Sequence, residues 1–452
     1  MVDEVRADGA RVGPGGTETA PKEPLPAPPE EPAVHTIETA EGIAITVPEA
    51  VGPPIREIGV REWVRENLFP SRLNSVLTVL FALLLGWVAF KAFRFVFVTG
   101  RWRVVEVNLT TLMVGRFPRS ELWRPVATGL ALAAFVPLWA GRTARSLAEL
   151  SVAPASRDWR ATWTRVWPFL LLLAATLSLT RTVTPTLLVL AMVAVGVAAY
   201  WLGTRVPPRL GRWVDLSALV GVLMAFYLPL FAAGYGWNRW GGLMMNLFAA
   251  AVGIGVSFPI GILLALGRRS RLPGIRAICV GYIELIRGVP LVTLLLMAFF
   301  VVGFMFPRGF RAPELVARAL IILVAFTAAY VAEIVRGGLQ SVPRGQIEAA
   351  QAVGLAPWKV TRLIVLPQAL RNVIPALVGQ FISLFKDTSL LFVIGILELL
   401  RVAQVILQQP DFRAQDLQAE THVFAAFVFW VFAYAMSKES QRLERRLGLG
   451  ER

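Results

Sequence analysis

Long apolar runs with few interrupting charges recur along the 452-residue chain, and they restrict its fold more than any other feature. In a hydrocarbon layer about 30 Å thick every backbone N–H and C=O must be paired within its own segment. A helix of about 20 mainly apolar residues achieves this. The runs are Val76–Val98, Pro125–Ala140, Val166–Thr180, Pro185–Leu202, Leu216–Ala233, Leu243–Leu266, Ile286–Phe306, Ala319–Ala332, Val373–Leu391 and Phe424–Met436. They predict an all-α, polytopic membrane protein of ten spans, some of them short. With 56% apolar and 17% charged residues, the composition excludes a soluble globular domain of this length.

Charge is spread unevenly. Residues 1–70 hold 13 Asp/Glu against 6 Lys/Arg, whereas the whole chain carries +15. The remaining arginines gather in short loops beside apolar runs, as in cytoplasmic loops. No basic stripe interleaved with aromatics points to a nucleic-acid partner. With the N-terminus inside, GRTAR, TRVPPRLGR, GRRSRLPGIR, the segment around Glu348 and the C-terminal QRLERRLG are all cytoplasmic, and so are both termini. The basic loop Gly100–Arg124 then falls outside, against the rule. Cys279 is the sole cysteine and His35 and His422 stand far apart, so neither a disulfide nor a metal set is expected. Trp163, Trp167, Trp201, Trp213, Trp237 and Trp240 fall near span ends and read as an interfacial belt.

Residues 1–60 are acidic and Pro-rich, with PKEPLPAPPEEP at the centre. They bury too little apolar surface to offset ordering entropy and read as a disordered cytoplasmic tail. No basic start leads into an apolar stretch there, so a signal peptide is not expected. Arg61–Asn74, REWVRENLFPSRLN, fits an amphipathic helix on the membrane surface or a plain lead-in to the first span. Composition shifts again near Gly234–Gly242. Residues 61–235 read as an accessory region of about five helices, and residues 240–440 as a five-helix core. A structured cytoplasmic loop occupies 337–372 of that core, and 441–452 form a second cytoplasmic tail.

The most informative stretch lies in that loop, where Gln346 to Pro367 reads QIEAAQAVGLAPWKVTRLIVLP. Gln346–Val353 predicts two helical turns, with Ile347, Ala350 and Val353 on one side and Glu348 and Gln351 on the other. Gly354 suits a helix end that turns through positive φ, and Pro357 suits the first position of a second short helix. Ala349 and Ala350 are small enough for a partner backbone to come close. Shape alone fits a docking helix and a loop resting on lipid headgroups equally. None of the five lysines, Lys22, Lys91, Lys359, Lys386 and Lys438, follows a glycine, so no Gly-Lys-Ser/Thr turn exists to cradle phosphates. If ATP drives this chain, another subunit holds the nucleotide.

The spacing Glu348-Ala349-Ala350, three residues, Gly354, nine residues, Ile364-Val365-Leu366-Pro367 resembles the EAA loop of ABC importer permeases. More closely it resembles the polar amino acid family of histidine, glutamine and arginine type. Tyr282–Leu291 (YIELIRGVPL), Ala328–Gln346 (AAYVAEIVRGGLQSVPRGQ) and Lys386–Leu390 (KDTSL) look like that family too, in the expected order. The resemblance covers Gly241 to Arg446. Val289 departs from it, since the family commonly has threonine there. REWVRENLFPSRLNSVLTVL is similar to the larger permeases of general L-amino-acid importers.

The resemblance implies a type I ABC importer permease (MetI-like) core of five helices plus an N-terminal multi-helix extension, in a bacterial inner membrane. It implies that Glu348, Ala349, Ala350, Gly354 and Pro367 contact an ATPase subunit acting as a dimer. A second homologous permease and a periplasmic amino-acid-binding protein would complete the assembly. ATP and Mg would belong to the partner, with no cofactor on this chain. The expected role is a non-catalytic permease subunit for L-amino-acid import.

Intramembrane charge is the second signal. Lys386 and Asp387 fall about 13 residues into the run from Val373, roughly 20 Å along a helix. Each such charge costs about 2.5–3.5 kcal/mol at the bilayer centre and marks a candidate functional position. Gln380, Lys386, Asp387, Thr388 and Ser389 are candidates to line a path for a zwitterion. A structural pairing with another helix is also open. Gly288 and Pro290 are expected to break a helix, and Glu284, Arg287, Glu333 and Arg336 to serve structure at the cytoplasmic edge. The alternative function is an ion-coupled secondary amino-acid transporter using Lys386 and Asp387, for which no inverted repeat is found. An integral membrane enzyme would need a nucleophile–base or metal set that the sequence lacks.

Overall fold

The computed structural model describes residues 34–38, 44–48, 59–150, 183–227, 239–305, 312–413 and 415–446, with isolated positions between 163 and 174 and at 234 and 236. It divides into two compact units, Met1–Arg94 and Phe95–Arg452.

In the first unit, β1 (Val34–Glu38) and β2 (Ala44–Pro48) pair antiparallel, with Ile37 opposite Ile45. The β-branched residues of VHTIE and AITVP favour this pairing. A hairpin therefore stands inside the stretch expected to be disordered, most of which lies outside the described residues. α1 (Val60–Leu68) precedes α2 (Arg72–Arg94), and the Thr78 hydroxyl donates to the Leu68 carbonyl at 2.6 Å across the turn. α2 buries no residue, which suits a helix whose solvent is lipid.

The second unit contains α3 (Arg103–Val114), α4 (Trp123–Leu150), α5 (Val183–Arg205), α6 (Gly211–Phe226), α7 (Gly242–Arg268), α8 (Pro273–Gly288), α9 (Leu291–Phe300) and α10 (Leu315–Ser341). Then come α11 (Arg344–Ala352), α12 (Leu366–Asp387), α13 (Leu399–Val405) and α14 (Gln418–Arg446). Lipid supplies no hydrophobic drive between helices, so close approach of small residues matters. α4 and α5 meet through Gly141 and Gly203. A Cβ there would fall 2.2 Å from the Tyr200 carbonyl oxygen and 2.1 Å from that of Leu138. Arg142 pairs with Asp215, which ties α6 to the same group.

Among the described residues seven helices are long and apolar enough to cross a membrane, or eight if one bent pair is a single span. Ten were expected. Val166–Thr180 lies almost wholly outside the described residues. The run at Leu216–Ala233 corresponds to α6 through Phe226, and residues 228–233 lie outside the described residues. The run at Ile286–Phe306 is not one helix, because α8 and α9 meet at 99°. The expected accessory region 61–235 does not separate as one body either, because α3 buries Val104, Val105, Leu109 and Leu112 among Leu243, Leu399, Val402 and Phe424 of the core. Trp240 is buried edge-on to Phe248, with ring centroids 5.0 Å apart, and is no part of an interfacial belt.

Candidate functional site

Three of the four sequence motifs meet at one end of the second unit. Past Ser341 the chain turns at Pro343 into α11, whose C-terminus closes at Gly354 with φ 79°. The Gly354 N–H donates to the Gln351 carbonyl at 2.9 Å and the Leu355 N–H to that of Ala350 at 3.2 Å, the paired bonds of a glycine-terminated helix. Ala350 is buried with Val342, Val360, Val365 and Ala369, and Ile347 and Leu355 pack against this group. Two expectations are corrected here. Val353 was placed on the apolar side but is 77% exposed, because the helix unwinds at that residue and Leu355 takes the inner position. Ala350 faces its own chain, so only Ala349 offers a small surface beside Glu348.

Glu348, Ala349, Gly354 and Pro367 are exposed, together with Val353 and with Trp358, which the sequence reading did not single out. The second short helix expected after Gly354 does not stop at Pro367. Pro357 opens a helical turn, a π-wound stretch follows at Val360–Val365, and α12 continues from it. Pro367 has no N–H for the carbonyl four residues back, and the wider turn just before it makes room for its ring. The rod from Pro357 to Asp387 is therefore continuous and about 45 Å long. Lys386 and Asp387 stand at its far end, not thirteen residues into a span.

Beside α11 lies an ion cluster. Arg268 Nη1 is 3.0 Å from Glu284 and 3.4 Å from Glu333, and Arg287 is 3.8 Å from Glu333. Arg336 Nε donates to Glu333 at 2.8 Å and its Nη1 to Gln340 at 2.9 Å. Arg287 also lies over the Tyr330 ring, 5.4 Å from its centroid. These five charges bind α7, α8 and α10 at the level where α8 ends. Gly288 is its last residue, Val289 is extended, and Pro290 stands at the cap position just before α9.

The opposite end holds the fourth motif. Thr388 is fully enclosed. Its hydroxyl donates to the Phe385 carbonyl at 2.7 Å and accepts from Asn246 Nδ2 at 3.0 Å. Asn246 also donates to Glu398 at 3.1 Å and accepts from the Leu399 N–H at 2.9 Å. Glu398 caps α13 by accepting from the backbone N–H groups of Leu400 at 2.9 Å and Arg401 at 2.6 Å. Burial pushes the Glu398 carboxyl up to about 7, against the pull of those three donors. Thr388 thus joins a buried polar knot and lines no open path in this conformation. Lys386 is exposed, and Gln380, Asp387 and Ser389 are partly so. With Ala376, Gly379 and Ser383, the residues Gln380, Lys386 and Asp387 form an open stripe along α12 at three- and four-residue spacing, and Ser389 follows in the turn past its end. Asn246 and Glu398 escaped the sequence reading. A lone amide in GLMMNLF and a carboxylate just before LLRVAQV were the available signals.

The profile of the family described as "Binding-protein-dependent transport system inner membrane component" matches residues 257–447. The glutamate/glutamine/aspartate/asparagine transport system permease protein BztC of Rhodobacter capsulatus is 33% identical over 433 residues, covering 87% of this chain and 95% of that protein. The inner membrane amino-acid ABC transporter permease protein YhdY of Escherichia coli is 34% identical over 409 residues, covering 86% and 93%. A solved structure, "Crystal structure of an amino acid ABC transporter with histidines", is similar over 50% of this chain and 97% of that one, at 31% identity and a TM-score of 0.40. These names lend no support to the ion-coupled alternative. Matched over 86–87% of its length by these two relatives, the chain belongs to the amino-acid ABC transporter permease family, as a non-catalytic, multi-pass inner-membrane component whose ATP is hydrolysed by a partner subunit.

Proposed function

We propose that this chain carries L-amino acids into the cytoplasm across a broad range of side chains, driven through α11 by a pair of ATPase subunits. A second homologous permease would stand beside it, and an extracytoplasmic binding protein would deliver the solute. The observation that carries this reading is the α11 seat: a short helix, capped at Gly354, inwardly anchored by Ala350, and presenting Glu348, Ala349, Val353 and Trp358 outward. Moving a two-state balance from 1:99 to 99:1 takes about 5.5 kcal/mol of differential interaction, and a rigid anchored helix can transmit it. The open stripe on α12 fits a path lined by Gln380, Ser383, Lys386 and Asp387 and completed by the second permease. The arginines around α11 and the loop after α7 favour a cytoplasmic setting for that end, with the C-terminus of α14 beside it.

Gly354→Asp and Glu348→Arg test the seat. A Cβ at Gly354 meets nothing within 4 Å, so the added strain is that of a positive φ alone, about 1 kcal/mol. In proteoliposomes holding the whole complex, both variants should assemble but lose at least tenfold in ATP-driven uptake. Normal uptake would exclude α11 as the coupling element.

A further inference from the structure

The turn joining α5 to α6 is a fixed and strongly basic corner. Residues 205–212, RVPPRLGR, hold three arginines and no acid. Two further arginines on α4 pin the corner from behind. Arg145 Nη1 donates to the Val206 carbonyl at 3.0 Å, and Arg142 pairs with Asp215 just past the turn. Gly211 makes room for the second contact, since a Cβ there would fall 2.3 Å from Arg142 Nη2. Pro207 and Pro208 restrict the backbone between the two helices. Arg205, Arg209 and Arg212 are exposed, and they make no hydrogen bond or ion pair among the described residues.

Arg205 and Arg212 also terminate two outward apolar stripes. On α5, Leu187, Ala191, Ala194, Ala198 and Leu202 are exposed at three- and four-residue spacing, and Arg205 stands one turn beyond Leu202. On α6, Arg212 stands one turn before Leu216, and Leu219 and Leu223 follow on the same exposed side. Trp213, next to Arg212, is 69% exposed. Arginine and tryptophan at the end of a lipid-facing stripe sit at headgroup depth. The guanidinium groups therefore stand where the helices leave the hydrocarbon, not on a separate helix past that level as in α11.

We propose that Arg205, Arg209 and Arg212 form a binding site for an anionic phospholipid of the adjoining leaflet. Its phosphate lies among the three guanidinium groups, and its acyl chains lie on the stripes of α5 and α6. A guanidinium grips a phosphate through two parallel N–H bonds, and basic groups between spanning helices suit anionic headgroups. Lipid is favoured over an acidic protein because the apolar stripes run directly into the charges, which matches the two parts of one lipid molecule. Such a site needs only a membrane and stands whether or not α11 is the drive.

The test takes the whole complex, stripped of lipid in detergent, titrates it with phosphatidylglycerol or phosphatidylcholine, and counts retained lipid by native mass spectrometry. Wild type should hold one saturable phosphatidylglycerol per copy of this chain more than Arg205→Gln with Arg209→Gln and Arg212→Gln. Phosphatidylcholine should show no such difference. Arg209→Gln alone lies outside both helices and should raise the half-saturating lipid concentration at least threefold, which covers a triple variant that fails to assemble. Arg103→Gln with Arg116→Gln and Arg119→Gln removes the same charge elsewhere and should keep that lipid. Equal retention by wild type and the turn variants overturns the site. An equal loss in the Arg103 set also overturns it, by assigning retention to net charge. Displacement by glycerol 3-phosphate at the lipid's own concentration overturns it in favour of a soluble phosphate. Turn variants that keep the lipid but shed the ATPase subunits overturn it in favour of a protein contact.

Discussion

At the scale of single residues, the knot of Asn246, Thr388 and Glu398 is where the chain spends polarity in a place that punishes it. Each donor and acceptor has a named partner, which is the condition for burying them at all. Asn246→Ala would strand the Leu399 N–H and remove a donor from Glu398, at about 1–3 kcal/mol for the unsatisfied group. A lower melting temperature of the purified complex should report it. Glu398 lies between α12 and α13, outside the spanning helices, and its carboxyl titrates near 7 against an ordinary value of 4.5. Between those values the folded chain holds a proton that the unfolded chain has released. Stability therefore falls as pH rises from about 4.5 to 7, by roughly 3 kcal/mol. The Arg401 side chain is turned to Gln404 at 3.2 Å, and only its backbone N–H serves the carboxylate. Melting curves of wild type should show this decline, and Glu398→Gln should flatten it; an unchanged slope would assign the decline to other groups.

At the scale of elements, α3 depends on one backbone approach. Gly115→Ala would place a methyl group into the Gly241 backbone at a positive φ, costing about 2–3 kcal/mol. The expected result is protease cleavage within 100–116 in the variant, with Gly86→Ala, which meets open space, behaving as wild type. The turn of α11 was legible from sequence because Gly354 and Pro357 act through their own φ angles and N–H groups, which are local properties. The inward side of α11 was legible too, through Ile347 and Ala350, but not the reversal at its end, where Leu355 and not Val353 packs against the group of Val360, Val365 and Ala369. Hydropathy likewise located most spans without locating their ends. α10 runs on to Ser341 because Glu333 and Arg336 pair one turn apart and Arg336 reaches Gln340. α3 passed as a loop for a different reason. At twelve residues it is too short to cross a bilayer, although Val105, Leu109 and Leu112 repeat at helical spacing.

At the scale of the whole molecule, the second unit has two chemically distinct ends, and their sidedness can be read directly. Cys279 is the only thiol, so Cys279→Ala gives a clean background. A membrane-impermeant maleimide should label Ser120→Cys in intact spheroplasts and Gly345→Cys only after permeabilisation, both positions being exposed. The reverse pattern would invert the topology and with it the role proposed for α11. The rod Pro357–Asp387 runs from the α11 seat to the polar knot, and near its start the six residues Val360–Val365 are π-wound. A π turn is wider than an α turn, so rewinding that stretch into α form would change the rod's length and swivel whatever lies beyond it. Such a joint is a spring in series with the drive. Under the proposed drive through α11, the inner end can begin its stroke before the outer end follows, so clamping by the engine and release of the cargo become consecutive events.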